Sequence, residues 1–414
     1  MHVRCEREAG QMTVRRTHRA LVGVVTAAAM AVAAFATPTA ADDGRRDSHA
    51  ATREALRAQV RAGVPGAMGQ ARDAGGAWNG SAGVADLRTQ RPRLPQDRFR
   101  IGSLTKAFVS VVLLQQEAEG KLDLDDTVER WLPGVVRGHG HDGRRVTVRQ
   151  LLNHSSGIFN YTEDPRFEDR LTKGFLKHRF DTFTPRQLTD IAMSHRPHFK
   201  PGKGWHYSNT NYVLAGMIVE KAAGHRYGHE IRQRVIQPLG LRGTSLPGTS
   251  SGLPDPHGRA YGKLTLTPKP TDKIHDVTAL NPSWAWAAGE MISTSGDLNR
   301  FYHALLRGEL LPKAQQRELL TTVPMGAEAP GGRYGLGIMP TTLSCGANVW
   351  FHTGGIHGSS SLASATRDGR HTAAFNLNGD WAGDVAGLLE AEYCGTKPPA
   401  TAKSRTLRAM TGLR

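Results

Sequence analysis

The order of apolar and polar residues along the chain predicts helices and strands at both ends and mainly helices between them. At the amino end, the pattern favours an amphipathic helix, two strands around a glycine-rich turn, and a short strand that leads into a long helix. These segments are 51–62, 66–73, 82–89, 98–101 and 104–119.

The middle of the chain has helical periodicity, and the carboxyl end changes to strand-like alternation. Thr184 and Gln187 form a capping box that starts one of the middle helices. The predicted helices lie at 185–194, 210–223, 296–307 and 313–320, with a long loop rich in Pro, Gly, Thr and Ser at 244–283. The predicted strands lie at 333–339, 347–352, 359–366 and 371–378, and a last helix lies at 381–393.

The simplest assembly joins the two ends into one antiparallel sheet flanked by helices, which is an α/β (α+β) fold. In this prediction, residues 50–104 together with 284–394 form the α/β domain, and residues 105–283 form an inserted all-helical domain. The crevice between the two parts is the expected place of a binding site.

The first 41 residues have the features of an export signal. A group of arginines precedes an apolar run at 20–36, and small residues follow at 37–41. We expect cleavage after Ala40 or Ala41 and a secreted protein that can associate with the cell wall. An uncleaved anchor is the alternative, although the run is short for a membrane span. The sequence leaves open whether export uses the Sec or the twin-arginine route.

The chain of 414 residues is basic, with a formal net charge of +16, and 39% of its residues are hydrophobic. This composition excludes a disordered chain but makes nucleic acid, anionic membranes and acidic wall polymers conceivable partners. Residues 1–41 carry a net +3 and the tail 395–414, which we expect to be disordered, a net +5, which leaves +8 for 42–394. Because the basic residues of this part are dispersed, we expect no nucleic-acid partner.

Ser103 and Lys106 form an S-x-x-K motif at the predicted start of the long helix. A spacing of three puts the hydroxyl and the amine on one helical face. The free N–H groups and the positive dipole of a helix start favour an oxyanion and lower the pKa of a nearby lysine. This chemistry suits a serine nucleophile with a lysine base, whereas an isolated motif of this kind is more often a capping serine beside a solvated lysine.

A second candidate group, Tyr207 and Asn209, precedes the helix predicted at 210–223. A tyrosine at a helix entrance can relay a proton, and an asparagine can bind a substrate amide. A helix cap with a packed aromatic ring is the plainer interpretation when this group is taken alone.

A third group, His352, Thr353, Gly354 and Gly355, follows a predicted strand. Small residues at the end of an edge strand allow a substrate backbone to approach closely. The N–H groups of Ser103 and Gly355 are candidate donors to an oxyanion. Taken alone, the same residues also fit a simple strand end and turn.

The order of the three motifs, S-x-x-K, Y-x-N and [KH]-T-G, resembles the serine penicillin-binding and β-lactamase-like family. Within that family the chain is similar to the class C type, to related esterases and, most closely, to secreted actinomycete D-alanyl-D-alanine carboxypeptidases, which also have His-Thr-Gly. The resemblance extends over about 55–395 and includes the stretches 99–103, 120–125, 147–157 and 334–337.

The resemblance implies a role for each motif. Ser103 would form an acyl-enzyme, Lys106 would take its proton alone or with Tyr207, and Tyr207 would pass a proton to the leaving amine. Asn209 would hold the amide of the acyl side chain. The other implied substrate contacts are His352, Thr353, Gly354, Gly355, Trp284 and Phe180.

The function implied is a serine-type D-Ala-D-Ala carboxypeptidase or transpeptidase that acts on cell-wall peptides and binds β-lactams as inhibitors or substrates. A related esterase or β-lactamase is one alternative, and a non-catalytic protein that binds wall peptides or β-lactams is another. We expect a monomer without a cofactor.

Two positions depart from the carboxypeptidase pattern. Met339 stands where that family has an arginine that meets the terminal carboxylate of the substrate, and Gly355 stands where it has a threonine. Both changes remove polar contacts to a free carboxylate, which is costly to bury without partners. His357 and Arg333 are the candidates to replace the lost arginine.

The cysteines predict a disulfide. Cys5 would leave with the export signal, and Cys345 and Cys394 would remain in an oxidising compartment. We expect these two to pair, with two buried free thiols as the alternative.

Two further motifs are interpreted as structural. The G-x-S-x-G sequence at 248–252 lies in the predicted long loop, without a strand before it or a helix after it. His139 with His141, and His195 with His198, lie among arginines and lack the H-E-x-x-H pattern. We therefore expect solvated loop histidines and no metal site.

Overall fold

The computed structural model describes residues 49–396, so the predicted export signal and all but two residues of the predicted tail lie outside this range. The described helices are α1 (Ala50–Arg61), α2 (Thr105–Ala118), α3 (Val128–Trp131), α4 (Val148–Leu152), α5 (Pro165–Leu171), α6 (Phe175–His178), α7 (Pro185–Met193), α8 (Asn209–Ala223), α9 (Tyr227–Ile231), α10 (Ser295–Leu306), α11 (Lys313–Leu320) and α12 (Val385–Cys394). The described strands are β1 (Gly66–Asp73), β2 (Gly76–Gly83), β3 (Phe99–Arg100), β4 (Arg137–Gly138), β5 (His141–Asp142), β6 (Tyr261–Gly262), β7 (His275–Asp276), β8 (Ile292–Ser293), β9 (Val323–Pro324), β10 (Arg333–Tyr334), β11 (Met339–Thr342), β12 (Asn348–Ile356), β13 (Ser359–Thr366) and β14 (Thr372–Leu377).

A six-stranded antiparallel sheet joins the two ends of the chain. Its strand order is β11–β12–β13–β14–β1–β2, so the amino-terminal hairpin extends the carboxyl-terminal meander. In this register, Ala67 of β1 lies opposite Leu377 of β14. The sheet and its helices confirm the predicted α/β (α+β) class. The predicted insertion at 105–283 is mainly but not entirely helical, because it contains the short strands β4 to β7, and its boundaries as a domain stay a prediction.

Helices cover both faces of the sheet because alternate residues of its strands point to opposite sides. On one face, Ala67 packs in a cluster with Leu56 of α1 and Leu388 of α12. On the other face, Met68 belongs to a second cluster with Phe301 of α10, which also includes the apolar residues of α2 and α8. The apolar residues on both faces are buried, which holds the sheet rigidly beneath the candidate site.

The second strand begins earlier than the sequence predicts. β2 spans Gly76–Gly83 rather than 82–89, because the turn has only two residues and Asp73 already pairs with Gly76. β2 is an edge strand with exposed and half-buried residues, so it lacks the apolar alternation that identifies a half-buried strand.

The strand predicted at 333–339 is interrupted. β10 pairs with β9, whereas β11 pairs with β12. Between them, Gly337 has a φ of +83°, and a Cβ at this position would lie 2.6 Å from Oγ of Ser110 on α2. The interruption therefore lets the chain pass directly against α2 before it joins the sheet.

The predicted disulfide between Cys345 and Cys394 is present. It connects the turn between β11 and β12 to the carboxyl end of α12, and the two residues are 49 positions apart in the chain. The bond closes the part of the chain that contains β12, β13 and β14, three neighbouring strands of the main sheet.

Replacing both Cys345 and Cys394 by alanine is expected to lower the free energy of unfolding by about 4 kcal/mol, because the unfolded chain regains the entropy of an open loop of this length. Urea unfolding of the variant and of the wild type measures the change. Reduction of the wild type should give a similar loss, and equal unfolding midpoints in all three samples would contradict the prediction.

Candidate active site

The chain turns sharply just before Ser103. β3 ends at Arg100, Gly102 has a φ of +52°, and a 3-10 turn at Gly102–Leu104 leads into α2. Glycine is required at position 102 because a Cβ there would lie 2.7 Å from the carbonyl oxygen of Gly355. This close approach presents Ser103 at the wall of a cavity of about 560 Å³.

Lys106 lies on the first turn of α2 and is fully buried. Its Nζ lies 2.8 Å from Oγ of Ser103, 2.9 Å from Oδ1 of Asn209 and 2.8 Å from the carbonyl oxygen of Ala288. Burial holds the pKa of Lys106 well below its usual value. A neutral amine has two N–H donors and one lone pair. The amide and the carbonyl accept the two hydrogens, so the lone pair faces the Ser103 hydroxyl.

The ring of Tyr207 covers the lysine, with its centroid 4.8 Å from Nζ. The Tyr207 hydroxyl is buried and has no hydrogen-bond partner among the described residues. Burial raises the pKa of Tyr207, and the nearby Ser103 hydroxyl offsets part of this effect. Tyr207 therefore keeps its proton at neutral pH and can share it with an atom that arrives at Ser103.

Two backbone amides converge beside the Ser103 hydroxyl. The hairpin of β12 and β13 has a two-residue turn after Ile356, so Ile356 and Ser359 form a hydrogen-bonded pair. Because hydrogen-bonded pairs alternate along an antiparallel ladder, the preceding residue, Gly355, directs its N–H away from β13. On that side lies the turn of Ser103, since a Cβ on Gly102 would be 2.8 Å from the Gly355 nitrogen. The amides of Ser103 and Gly355 can thus form an oxyanion hole.

His352 and Thr353 are fully buried and do not line the cavity. The Nδ1–H of His352 donates to the carbonyl of Thr353, so its Nε2 accepts from the Tyr334 hydroxyl at 2.8 Å. Burial lowers the pKa of His352 to about 3. The centroid of the neutral His352 ring lies 6.3 Å from that of Tyr207. His352 therefore lies near the Tyr207 ring outside the cavity lining and is not placed to contact a substrate.

The remaining predicted contacts divide into two sets. Asn209, Gly355 and Trp284 line the cavity, and Gly354 lies in β12 against the Ser103 turn. Phe180 does not line it; its side chain is 52% exposed, and the Arg179 guanidinium stacks on the ring.

Two acidic residues that the sequence analysis did not single out line the cavity, Glu168 on α5 and Asp380 after β14. Burial raises the pKa of Asp380 to about 6, although its carboxylate accepts the Gly358 N–H at 2.8 Å. Glu168 has no ion-pair partner within the described range. Neither residue belongs to a sequence motif, so only their positions in the fold show that both line the cavity.

A buried histidine behind Tyr207 was also missed, although its stretch contributes to the family resemblance. His154 is fully buried, and burial holds its pKa well below the usual value. Its Nδ1 accepts from the Ser208 N–H at 3.2 Å and from Nδ2 of Asn211 at 3.1 Å. The ring lies 4.4 Å from that of Tyr207, so His154 fixes the start of α8 and with it the tyrosine.

Neither candidate takes over the role of the arginine that the carboxypeptidase pattern has at position 339. Met339 is buried in β11. Arg333 is exposed, donates to Thr322 and does not line the cavity. His357 does line it, but burial lowers its pKa to about 4, and its Nε2–H donates to the carbonyl of Leu171 at 2.7 Å. Neither candidate supplies a positive charge for a substrate carboxylate.

Of the four histidines interpreted as solvated, His139 and His198 are exposed as predicted, whereas His141 and His195 are more enclosed than expected. His141 is buried, and burial lowers its pKa to about 4. The ring of His195 stacks on Phe159, and its Nε2 bonds Asp164 at 2.9 Å. The sequence could not show this, because the partners come from distant segments. The loop assignment of 248–252 is correct, since Ser250 is exposed and no strand precedes it.

Comparison with known proteins shows which family this chain resembles. Residues 50–389 match the Beta-lactamase family. A D-stereospecific amidohydrolase from a Streptomyces species is 57% identical, with a TM-score of 0.80 over 84% of this chain and 99% of that one. A D-amino acid amidase from Ochrobactrum anthropi SV3 is 28% identical, with a TM-score of 0.69 over 81% of this chain and 92% of that one.

Two of the curated relatives, both from Bacillus subtilis, are named as penicillin-binding proteins. Penicillin-binding protein 4* of Bacillus subtilis is 27% identical over 313 residues, which are 73% of this chain and 65% of that protein. The chain therefore spans less than two thirds of this relative. The predicted family resemblance is confirmed, whereas the closer likeness to the class C type and to actinomycete carboxypeptidases stays a prediction. With the family match extending over most of its length, the chain belongs to the Beta-lactamase family of serine hydrolases.

Proposed function

We propose that this protein hydrolyses amides in which the acyl part is a D-amino acid residue with a free, positively charged amino group. The charge of the cavity wall carries the proposal. Among the described residues that form this wall, Glu168 and Asp380 are acidic, and none is Lys or Arg. Opposite charges attract strongly in a partly enclosed site, so the wall favours an ammonium group and disfavours a carboxylate.

The similarity to a D-stereospecific amidohydrolase supports the same substrate class. Stereochemistry and bond type come from that similarity, whereas the preference for a free amine comes from the two carboxylates of this chain. The two arguments are independent.

The geometry supports a serine acyl-transfer cycle. The neutral Lys106 amine takes the Ser103 proton while Oγ attacks the amide carbon, and the amides of Ser103 and Gly355 stabilise the oxyanion. Tyr207 passes a proton to the leaving amine, and the lysine restores it. A water molecule then attacks the ester carbon and gives a proton to the same pair of residues. As the acyl–oxygen bond breaks, Oγ of Ser103 takes this proton and the acid is released.

The alternative is the D-Ala-D-Ala carboxypeptidase predicted from the sequence, with β-lactams as inhibitors or substrates. The penicillin-binding relatives support this alternative. A peptide with a free terminal carboxylate would however meet an acidic wall, and the neutral His357 offers it no countercharge. The cavity therefore favours an amide that ends without a carboxylate.

The experiment compares initial rates on a D-amino acid amide, its L-enantiomer, its N-acetyl derivative, a peptide ending in D-Ala-D-Ala and a chromogenic cephalosporin. We expect the D-amide with a free amine to be the best substrate. Faster release of D-alanine from the peptide would overturn the proposal in favour of the carboxypeptidase, and dominant cephalosporin turnover would favour a β-lactamase.

Glu168→Gln removes one negative charge from the cavity wall and keeps nearly the same shape. We expect kcat/KM for the free-amine amide to fall about tenfold, the value of one charge-assisted contact, and kcat/KM for the N-acetyl amide to stay the same. Glu309→Gln is the matched control, because Glu309 is exposed and pairs with Arg307 away from the cavity. Equal losses on both substrates would show that Glu168 does not recognise the amine.

Export is a further part of the proposal, supported by the arginines, apolar run and small residues of the first 41 positions. Between residues 49 and 396, no helix is long and apolar enough to cross a bilayer. Amino-terminal sequencing of the protein from culture medium tests this part. A mature chain starting near Asp42 is expected, and retention of the full-length chain in the cell would contradict export.

A further inference from the structure

Three side chains with metal-binding atoms meet beside the candidate active site. Glu163 follows Thr162, which lines the cavity, and His206 directly precedes Tyr207. The third residue, His198, comes from the segment interpreted as solvated loop in the sequence analysis. The ligand atoms of all three lie within 4.8 Å of one another.

The distances fit a small divalent cation. Nε2 of His206 lies 3.0 Å from Oε1 of Glu163, and Nε2 of His198 lies 3.5 Å from Oε2 of the same carboxylate. Zinc binds nitrogen and oxygen at about 2.1 Å, so tetrahedral ligands lie about 3.4 Å apart. The observed separations lie on both sides of this value, and small side-chain rotations would equalise them.

The surrounding residues orient the three ligands. Nδ1 of His206, the nitrogen turned away from the cluster, bonds the carboxylate of Glu328. Nδ2 of Asn160 donates to Oε1 of Glu163 at 3.2 Å. Histidines that bind metals commonly have such a carboxylate on the second nitrogen, because it fixes the ring and makes it a better ligand.

Direct hydrogen bonding explains only part of the cluster. A protonated His206 placed between two carboxylates is well paired, but His198 then faces a second imidazole whose centroid is only 3.6 Å from its own. Its contact with Glu163 is at 3.5 Å, longer than a good hydrogen bond. A cation between the three side chains would give each of them a close partner.

We propose that Glu163, His198 and His206 form a binding site for a divalent cation of the zinc type, with water completing the coordination. Imidazole and carboxylate ligands suit zinc and its neighbours in the transition series. The three side chains are 22–31% exposed, so an ion can reach them from solvent. The cation would connect the turn after Tyr161 to the segment that leads into Tyr207 and would raise the stability of the fold.

The test uses the untagged full chain after treatment with a chelator, titrated with zinc chloride by calorimetry. We expect one equivalent to bind and the thermal unfolding midpoint to rise. Cobalt(II) in place of zinc should give visible absorption bands, and these bands should change when one of the histidine ligands is replaced. Failure of the wild type to bind either ion, or a bound ion that leaves the midpoint unchanged, would overturn the proposal.

Variants locate the ion. His198→Ala should lower zinc affinity at least tenfold, and Glu328→Gln should lower it by about 10- to 100-fold through the orientation of His206. Glu163→Gln replaces a ligand without changing side-chain size and serves if His198→Ala does not fold.

The matched control is His229→Ala. His225 and His229 are both exposed, and their ring centroids are 5.0 Å apart on the surface, so this pair could itself hold an ion. Unchanged affinity in His229→Ala supports the proposed site. Loss of binding in His229→Ala, with normal binding in His198→Ala and Glu163→Gln, would place the ion elsewhere and overturn the assignment.

Discussion

Replacing Ser103 by alanine is expected to lower kcat for amide hydrolysis by a factor of about 10⁵ to 10⁶, the order of magnitude that follows when a serine nucleophile is removed from a serine–base unit. The loss is large because no other group can form the acyl bond, whereas the oxyanion hole and the cavity stay in place. The thermal unfolding midpoint should change little, because Ser103 lies at the cavity wall and alanine removes only its hydroxyl.

Ser250→Ala is the matched control, because Ser250 is the serine of the G-x-S-x-G sequence and is exposed in a loop. It should retain full activity. Intact-mass analysis after incubation with a penicillin gives a second readout, since the family relationship predicts an adduct in the wild type and in Ser250→Ala only. An inactive Ser250→Ala with an active Ser103→Ala would contradict the assigned nucleophile.

Replacing Gly354 by alanine is expected to destabilise the fold by about 3 kcal/mol and to lower kcat by at least about 100-fold. A Cβ at position 354 would lie 1.9 Å from the carbonyl oxygen of Ile101 and 3.3 Å from the nitrogen of Ser103. Backbone atoms cannot rotate away as a flexible side chain can. β12 must therefore move off the Ser103 turn, and the two oxyanion donors separate.

Gly252→Ala is the control for this substitution, because a Cβ there meets nothing within 4 Å and Gly252 does not have a positive φ. It should change the free energy of unfolding by less than about 0.5 kcal/mol. Denaturant unfolding and rates on the D-amide measure both effects. Wild-type stability and rate in Gly354→Ala would show that the close approach of the two backbones is not needed.

The sequence predicted those elements in which local pattern and burial agree. The helices α2 and α8 and the strands β13 and β14 have regular apolar periodicity, and they form close to their predicted bounds. β12 was predicted at 347–352 but continues to Ile356, so Thr353, Gly354 and Gly355 lie within the strand rather than after it. β2 and the break at Gly337 were predicted incorrectly, because an exposed edge strand needs no apolar face and the close approach of Gly337 to Ser110 is a tertiary contact.

In the candidate site, too, some residues could be identified from the sequence and others only from the fold. Ser103, Lys106 and Tyr207 could be identified because each occurs in a recognisable spacing and context, and the fold brings all three together. Glu168 and Asp380 could not, because they are about 210 positions apart and meet only through the cavity. Such groups decide which substrate is accepted, so the chemistry of this chain was more predictable than its specificity.

The position of β1 in the sheet has a consequence for biosynthesis. β1 pairs with β14, and Ala67 lies opposite Leu377. At about 5–20 residues per second, a ribosome needs roughly 15–60 s to make the chain between these two residues. During that time the amino-terminal hairpin has one edge without its final neighbour. The protein therefore cannot complete its central sheet until β14 has been made, and a chaperone or a translocation apparatus has an extended period in which to hold the nascent chain.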